Sequence, residues 1–335
     1  IIRLSSLGDV LLASPLIRVL RKKFPEAQID FLVRPEYADM IRYNPHLSRI
    51  IEFDIADGFP GMWKLRQRIR HERYDAIIDI HRNMRSFFLR TALFKTPVFK
   101  VVKYQIIRFL LVRFKWNLYR RLHKRIIPVW ERYIRAAAPL GIRPDGEGLE
   151  LFFPDSVRTA VKSYLPDKNI PLIVIAPGAR HFTKRWLPQY FAELIRGFGE
   201  SIRVQVVLVG AKEDLAVTHD ISRNTAKVRL LNAAGKLSVL ETAAVMEEAA
   251  FVVSNDSGLM HVASALNRPQ IAVFGSTVKE FGFFPSGSQA VVAENKGLYC
   301  RPCTHIGRAD CPEKHFRCMK EILPAEVLRI IREKG

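Results

Sequence analysis

The segment SNDSGLMHVASALNRPQIAVFG, from Ser254 to Gly275, decides the fold class of this chain. A predicted strand ends at Val253, small polar residues form a turn, and a helix is predicted from Leu259. The first amides of a helix have no partner within the helix, and with the helix dipole they favour an anion. An ordinary strand-to-helix connection explains the Asp and Ser of this turn equally well, because both are common helix caps.

A second junction of this kind opens the chain, in IIRLSSLGDVLLASPLIRVLRKKFP, residues 1–25. An apolar strand leads through Ser5–Asp9 into an amphipathic helix that ends at Pro25, with Arg18 predicted on its exposed side. Asp9 lies beside the first turn of this helix. A carboxylate there either caps the helix or faces the crevice in which open α/β sheets bind ligands, and the local pattern allows both.

The length of 335 residues suits two domains of about 150 residues each. Short Val- and Ile-rich runs alternate with helical periods, which predicts an α/β fold with parallel sheets. The Pro- and Gly-rich passage Pro139–Pro154 is the predicted boundary, so the domains are 1–150 and 151–335. Two such domains are expected to face a central cleft.

The strands are predicted at Ile1–Leu4, Ile29–Val33, Arg49–Phe53 and Asp75–Ile80 in the first half, and at Leu172–Ile175, Val204–Val209, Val228–Leu231, Phe251–Val253, Gln270–Phe274 and Ala290–Ala293 in the second. No GxGxxG motif follows either leading strand, which argues against a nicotinamide or flavin enzyme. No run of about 18 apolar residues indicates a membrane span.

The net charge of +20 indicates an anionic partner. Much of it falls in segment 95–135, where basic and aromatic residues alternate on a predicted helix. Such a segment is typical either of contact with an anionic membrane surface or of a solvated face over a domain core. The sequence shows no nucleic-acid-binding motif, so no nucleic acid is expected as a partner. The basic residues are Lys95, Lys100, Lys103, Arg108, Arg113, Lys115, Arg120, Arg121, Lys124 and Arg125.

The cysteines cluster late in the chain, in CRPCTHIGRADCPEKHFRC. Cys300, Cys303, Cys311 and Cys318 have the ligand count of a structural zinc site. The six-residue gap between the last two is wider than in the usual zinc knuckle, so free or redox-labile thiols are favoured over zinc. Confinement to one short segment also argues against a disulfide scaffold.

Three stretches together resemble the lipopolysaccharide heptosyltransferases of glycosyltransferase family 9: LSSLGDVLLASPLIRVL, APGARHFTKRWLPQYFAELI and SNDSGLMHVASALNRPQIAVFGST. The resemblance covers nearly the whole chain and weakens across about residues 95–135. It implies two Rossmann-like domains of the GT-B type, with the acceptor lipid on the first and the nucleotide sugar on the second. It also implies inverting transfer of heptose from ADP-L-glycero-β-D-manno-heptose to the lipid A-core acceptor, at the cytoplasmic face of the inner membrane.

The chemistry of such a transfer assigns roles to two residues. A sugar hydroxyl is a poor nucleophile, so a base must take its proton, and by the family pattern Asp9 is that base. The departing ADP places charge on a phosphate oxygen, and Lys184 is the cation predicted to stabilise it without a metal, so that no cofactor is required. A solvated loop lysine is the alternative for Lys184.

The resemblance implies the remaining donor contacts. Thr183 contacts phosphate or acceptor, and Glu213 takes the ribose hydroxyls, unless it only complements a helix dipole. The donor loop is Asp256, Ser257, Gly258, Leu259, Met260 and His261, in which Asp256 meets the sugar hydroxyls. Ser276 and Thr277 are further candidate contacts.

Two other functions remain open on the sequence. One keeps the fold and mechanism with a different nucleotide sugar or acceptor. The other is a non-catalytic nucleotide- or lipid-binding module, which a base and a leaving-group cation in the same chain disfavour.

Overall fold

The computed structural model describes residues 1–122, 125–165, 169–199, 203–225 and 228–334. The chain divides into two units. Unit 1 is Ile1–Tyr104 with Ile127–Phe153, and unit 2 is Gln105–Ile126 with Pro154–Gly335. The boundary between Phe153 and Pro154 lies inside the predicted passage Pro139–Pro154. Residues 105–126, however, group with unit 2 rather than with the first domain.

In the described residues the strands are β1 (Asp30–Val33), β2 (Arg49–Glu52), β3 (Ile77–Asp79), β4 (Val98–Lys100), β5 (Leu172–Ala176), β6 (Gln205–Leu208), β7 (Arg229–Asn232), β8 (Phe251–Asn255), β9 (Gln270–Phe274) and β10 (Ala290–Glu294).

The α-helices are α1 (Leu7–Leu11), α2 (Ser14–Lys23), α3 (Pro35–Ala38), α4 (Gly58–His71), α5 (Met84–Arg90), α6 (Gln105–Phe114), α7 (Tyr119–Leu122), α8 (Val129–Ala136), α9 (Asp155–Ala160), α10 (Pro188–Gly199), α11 (Leu215–Arg223), α12 (Val239–Glu247), α13 (Gly258–Ala265), α14 (Arg317–Lys320) and α15 (Pro324–Lys334).

The sheet of unit 1 is parallel, with β1 beside β2 and β3 beside β4. The predicted strand Ile1–Leu4 is reduced to a bridge at Ile2, which pairs with both Leu32 and Asp79. Backbone hydrogen bonds still join this segment to β1 and β3, since Ile2 N donates to Ile78 O and Arg3 N to Leu32 O. Residues 1–4 therefore run through the middle of the sheet, and the segment that follows them leaves at its carboxyl edge.

The sheet of unit 2 is wholly parallel, in the order β10-β9-β8-β5-β6-β7. Strand order reverses between β5 and β8, so the carboxyl ends of these two strands form a topological switch point, where open α/β sheets bind ligands. The residues of β5 and β8 are buried throughout, because helices cover both faces of the sheet.

Trp186 and helix α10 anchor the segment that follows β5. Phe191, Ile195 and Phe198 recur at helical spacing and join the core cluster of unit 2. Trp186 is buried with them, and its indole Nε1 donates to Ile322 O at 3.0 Å. The polar residues just before Trp186 are thereby held at the switch point.

Three local expectations differ from the structure. The helix predicted after Asp9 is split at Leu12–Ala13 into α1 and α2, because Pro15 starts a new helix in its first turn. Arg18 of α2 is buried rather than exposed. Segment 95–135 is not one helix, since β4 precedes α6 and α7.

Candidate functional site

The candidate donor site of unit 2 lies at the carboxyl ends of β5 and β8. Asn255, the fully buried last residue of β8, joins the two connections. Its Nδ2 donates to Pro177 O at 2.7 Å, and its Oδ1 accepts from Trp186 N at 3.0 Å. Asn255 was not predicted as a site residue, although its position at the end of an apolar strand was a sign of such a bridge.

The charged centre of this site is the pair of Lys184 and Asp256. Lys184 Nζ lies 2.7 Å from Asp256 Oδ2, and the two side chains are 16% and 7% exposed. Thr277 Oγ1 donates to the same carboxylate oxygen at 2.6 Å. The sequence-predicted residues Lys184, Asp256 and Thr277 therefore meet at one point. An ammonium has three donors, so this ion pair leaves Lys184 donors for a phosphate oxygen.

Thr183 connects three segments through its backbone and hydroxyl. Its Oγ1 accepts from Arg308 N at 2.9 Å, its N donates to Arg308 O at 3.2 Å, and its O accepts from Ser276 N at 3.3 Å. Gly275 lies so close that a Cβ there would come within 2.8 Å of Thr183 O, which explains the glycine. Thr183 thus holds the Lys184 segment against the turn after β9, and a phosphate contact by its hydroxyl stays a prediction.

The donor loop brings backbone rather than long side chains to the site. Helix α13 begins at Gly258, one residue before the prediction, and Ser257 makes no side-chain cap. Met260 packs with Ala272 and Phe274, so its side chain belongs to the core and only its backbone can contact a ligand. Leu259 is half-buried, and His261 is buried.

Two hydroxyls of the predicted site stand out. The buried Oγ atoms of Ser257 and Ser276 have no hydrogen-bond partner among the described residues. Buried hydroxyls are normally paired, because an unpaired one costs about 1–3 kcal/mol. Both Oγ atoms are thus suited to bind a polar ligand.

Neighbouring acids after β6 have different surroundings. Glu213 is exposed, and its carboxylate has no hydrogen-bond or ion-pair partner among the described residues, so it is accessible to a ribose. Asp214 turns inward, where its Oδ2 accepts from Ala211 N at 3.0 Å. Burial raises its pKa above the usual range. A Cβ at Gly178 would lie 2.3 Å from Asp214 Oδ2, so a glycine is needed in the turn after β5. Asp214 was not anticipated, because only the fold brings it beside Gly178.

The loop around Lys184 carries further cations. Burial, together with the charges of Lys184, Arg180 and Arg185, lowers the pKa of His181. Arg185 Nε donates to Ala179 O at 2.7 Å, which fixes the turn. The concentration of positive charge suits a diphosphate.

In unit 1, Asp9 lies at the carboxyl edge of the sheet, in the third position of α1. Arg3 Nη2 lies 2.6 Å from Asp9 Oδ2, and Ser6 Oγ donates to the same atom at 3.0 Å. Tyr133 OH donates to Asp9 Oδ1 at 3.2 Å. The Asp9 side chain is mostly buried but 17% exposed, so part of the carboxylate remains accessible. Arg3 and Tyr133 were not anticipated.

This environment fixes the protonation of Asp9. Burial disfavours its charge, but the Arg3 guanidinium and the Ser6 hydrogen bonds outweigh burial and hold its pKa below the usual range. Burial raises the pKa of Tyr133, which therefore stays protonated. His81, after β3, is kept neutral because burial and Arg3 lower its pKa to about 4. Asp9 is thus a carboxylate at neutral pH, the form that accepts a proton.

A family model described as glycosyltransferase family 9 (heptosyltransferase) matches residues 62–314, most of the chain. The chain belongs to glycosyltransferase family 9. This match confirms the resemblance to the family and includes the second and third of the three motifs.

Curated relatives and solved structures are similar over the whole length. Lipopolysaccharide heptosyltransferase 2 of Escherichia coli K12 is 27% identical over 97% of this chain and 94% of that protein. Lipopolysaccharide heptosyltransferase 1 of Pseudomonas aeruginosa is 26% identical over 90% of this chain and 85% of that protein.

A family 9 structure from Veillonella parvula has a TM-score of 0.80 at 20% identity, covering 99% of this chain and 96% of that chain. E. coli ADP-heptose heptosyltransferase II has a TM-score of 0.74 at 22% identity, with the same coverage. This likeness shows the fold, and the predicted class, α/β with parallel sheets of the GT-B type, is confirmed.

The cysteine segment of this family 9 chain holds four free thiols. Cys300 Sγ lies 3.8 Å from His315 Nε2, and burial raises the pKa of Cys318 to about 12. No group of three or more His, Cys, Asp or Glu in the described residues is arranged to hold a metal ion. Free thiols, rather than structural zinc, stay the prediction for this segment.

Segment 95–135 exposes apolar side chains in α6 and just after it: Ile106, Phe109, Phe114 and Trp116. Phe114 lies 5.4 Å from Trp116 between ring centroids. Lys115 Nζ donates to Cys300 O and Pro302 O, at 3.1 and 2.7 Å, and so joins the segment to the cysteines. Lys124 lies outside the described residues. No helix in the described part of the chain combines the length and apolarity needed to cross a bilayer.

Proposed function

We propose that this protein is an inverting, metal-independent glycosyltransferase that moves heptose from ADP-L-glycero-β-D-manno-heptose to the inner core of lipopolysaccharide. The observation that carries the proposal is the Lys184–Asp256 pair at the switch point of unit 2, beside the start of α13. The curated relatives are named as lipopolysaccharide or lipooligosaccharide heptosyltransferases, which supports this sugar and acceptor class.

Donor binding is proposed for unit 2. The amides at the start of α13 hold the pyrophosphate, and Lys184 stabilises the charge that develops on the leaving phosphate. Asp256 accepts hydrogen bonds from the sugar hydroxyls, and Glu213 accepts them from the ribose. The hydroxyls of Ser257 and Ser276, which have no partner among the described residues, supply further contacts. An ammonium in this role makes a metal ion unnecessary.

Acceptor activation is proposed for unit 1. Asp9 takes the proton of the attacking hydroxyl while the anomeric carbon gains positive charge. Because one base and one displacement suffice, the configuration at that carbon inverts. Arg3 and Ser6 hold the carboxylate in its ionised form, and Tyr133 orients its second oxygen.

A membrane partner is part of the proposal. The exposed aromatic residues of α6 and the basic residues of segment 95–135 suit the anionic inner face of the inner membrane, where a lipid-linked acceptor is found. The proposed location of the enzyme is therefore the cytoplasm, peripheral on that membrane.

The experiment is a transfer assay with ADP-heptose and a delipidated inner-core acceptor, with a parallel reaction in EDTA. ADP release, a product heavier by one heptose and an inverted anomeric configuration are expected, at a rate that EDTA leaves unchanged. A panel of UDP- and GDP-sugars tests the donor. Transfer from another nucleotide sugar alone would replace the heptose, and donor binding without turnover would indicate a binding module.

A further inference from the structure

Helix α5 turns an apolar stripe outward. Met84 is 88% exposed and Phe87 is 56% exposed, whereas Ser86 and Leu89 are fully buried. A helix on the surface of a soluble domain normally shows the reverse pattern, with its apolar stripe against the core. The outward stripe calls for an apolar contact outside the chain.

Helix α4 adds aromatic rings to this stripe. Phe88 of α5 lies 5.6 Å from Phe59 and 6.1 Å from Trp63, between ring centroids. Phe59 and Trp63 are both exposed, while Leu65 and Ile69 of the same helix are buried in the core of unit 1. The two helices therefore form one aromatic surface.

A groove of about 700 Å³ continues this surface past Trp63 to Phe94, which is 91% exposed. Among the described residues, no Asp or Glu lines this groove. The cations that line the groove are Arg66, Arg70, Arg73 and Lys95. None of them forms an ion pair with a carboxylate of the described residues. Arg66 instead lies over the ring of Phe88, 4.9 Å from its centroid.

We infer that this surface docks on an anionic lipid bilayer. It is called the α4–α5 face, and its residues are Phe59, Trp63, Met84, Phe87, Phe88 and Phe94 with Arg66, Arg70, Arg73 and Lys95. Trp and Phe side chains partition to the interface of a bilayer, and arginine stems lie along apolar surface while their heads reach phosphate. Uncompensated cations beside such rings are attracted to a negatively charged leaflet.

The inference extends the membrane part of the proposed function to a second surface. Apart from Lys95, the α4–α5 face lies outside segment 95–135. It contains none of the residues proposed to bind donor or to activate acceptor. Membrane docking by this face can therefore be tested independently of the sugar that is transferred.

The test is co-sedimentation of the full chain with phosphatidylcholine vesicles, with and without phosphatidylglycerol. Wild-type protein is expected to bind the anionic vesicles, less so at high salt. A Trp63→Ser/Phe87→Ser double variant and an Arg70→Glu/Arg73→Glu double variant are each expected to bind at least about tenfold more weakly. Leu323→Ser and Lys296→Glu remove an exposed leucine and an exposed lysine elsewhere, and both are expected to bind as wild type does.

Thermal unfolding of each variant, unchanged from wild type, shows that the fold is kept. Vesicle binding that is undiminished in both double variants, but lost in Trp116→Ser, would overturn the inference and assign docking to segment 95–135 alone. Equal binding to neutral and anionic vesicles would also overturn it. Loss of binding to duplex RNA in the double variants, with vesicle binding intact, would assign the face to nucleic acid.

A parallel assay separates this inference from the proposed function. ADP release with the delipidated acceptor is expected to be the same in wild type and in both double variants. If wild-type protein binds anionic vesicles through this face but does not turn over ADP-heptose, the proposed reaction fails and the docking surface stands.

Discussion

Lys184 Nζ and Asp256 Oδ2 lie 2.7 Å apart, one in the segment after β5 and the other just beyond β8. The same oxygen accepts from Thr277 Oγ1 at 2.6 Å. Three connections of the parallel sheet thus converge on one carboxylate, which holds the ammonium in place before any phosphate is bound. A preorganised cation of this kind acts most strongly where charge develops in the transition state.

Removal of the Lys184 ammonium should therefore slow the chemical step. In Lys184→Ala, kcat with ADP-heptose is expected to fall about 10²–10³-fold, while the Kd for the donor changes far less. Steady-state kinetics and titration calorimetry measure the two quantities. Lys296→Ala, at an exposed lysine, is the matched control and should keep wild-type kinetics. A Lys184→Ala enzyme that loses donor affinity but keeps kcat would assign Lys184 to ground-state binding.

Substitution of Asp9 by Asn should remove the base but keep the hydrogen bonds of the neighbouring side chains. Asn keeps an oxygen for Arg3 and Ser6 but cannot take a proton, so Asp9→Asn is expected to lower kcat about 10²–10⁴-fold. The donor Kd should not change, because the residues proposed to bind the donor lie in unit 2. Asp39→Asn is the control within unit 1. Near-normal turnover by Asp9→Asn would show that another group accepts the proton.

The pKa of Asp9 predicts an unusual pH profile. Because the Arg3 guanidinium holds this pKa below the usual carboxyl range, Asp9 stays unprotonated, and kcat/KM should show no acidic limb above about pH 4. In Arg3→Met burial is no longer opposed by a nearby cation, so the pKa of Asp9 rises and activity falls at a higher pH than in wild type. Profiles of both enzymes in the same buffers measure the shift. An acidic limb that stays in place in Arg3→Met would contradict the role of Arg3.

The strands that the sequence predicts well are those buried on both faces. Gln270–Phe274 is an uninterrupted apolar run bounded by turn residues, and its bounds agree with the structure. Val98–Lys100 is a strand only because it pairs with β3, and a local pattern dominated by basic and aromatic residues hides this pairing. Arg18 looked exposed because charged residues usually are, and its acceptors are more than a hundred residues away.

The polar motifs of the site were readable from the sequence because each follows a predicted strand. The side chains and backbone groups that contact these motifs could not be predicted from the sequence. Tyr133 reaches Asp9 across 124 positions, and Asn255 bridges segments that are 69 and 78 residues away. Such pairs depend on tertiary packing, which periodicity and turn residues do not encode.

Arg18 is expected to be a main electrostatic support of unit 1. Its guanidinium, 4% exposed, binds Asp145 Oδ2 at 2.8 Å and Glu150 Oε2 at 2.7 Å, so it fixes α2 to the segment before Pro154. Loss of Arg18 leaves the half-exposed Lys22 as the cation beside Asp145 and removes the guanidinium from Glu150. Arg18→Met is therefore expected to lower the free energy of unfolding by about 3–5 kcal/mol at neutral pH.

The pH dependence of this loss has a definite sign. The hydrogen bonds from Arg18 lower the pKa of Asp145, so the stability that the pair contributes is present above about pH 4 and is lost as the pH falls through the lowered pKa of the folded state. The difference between wild type and Arg18→Met should therefore shrink in acid. Urea unfolding at neutral and acidic pH measures it, with Lys23→Met, at an exposed lysine of the same helix, as the control. A difference that is constant with pH would mean that Arg18 stabilises unit 1 by packing rather than by charge.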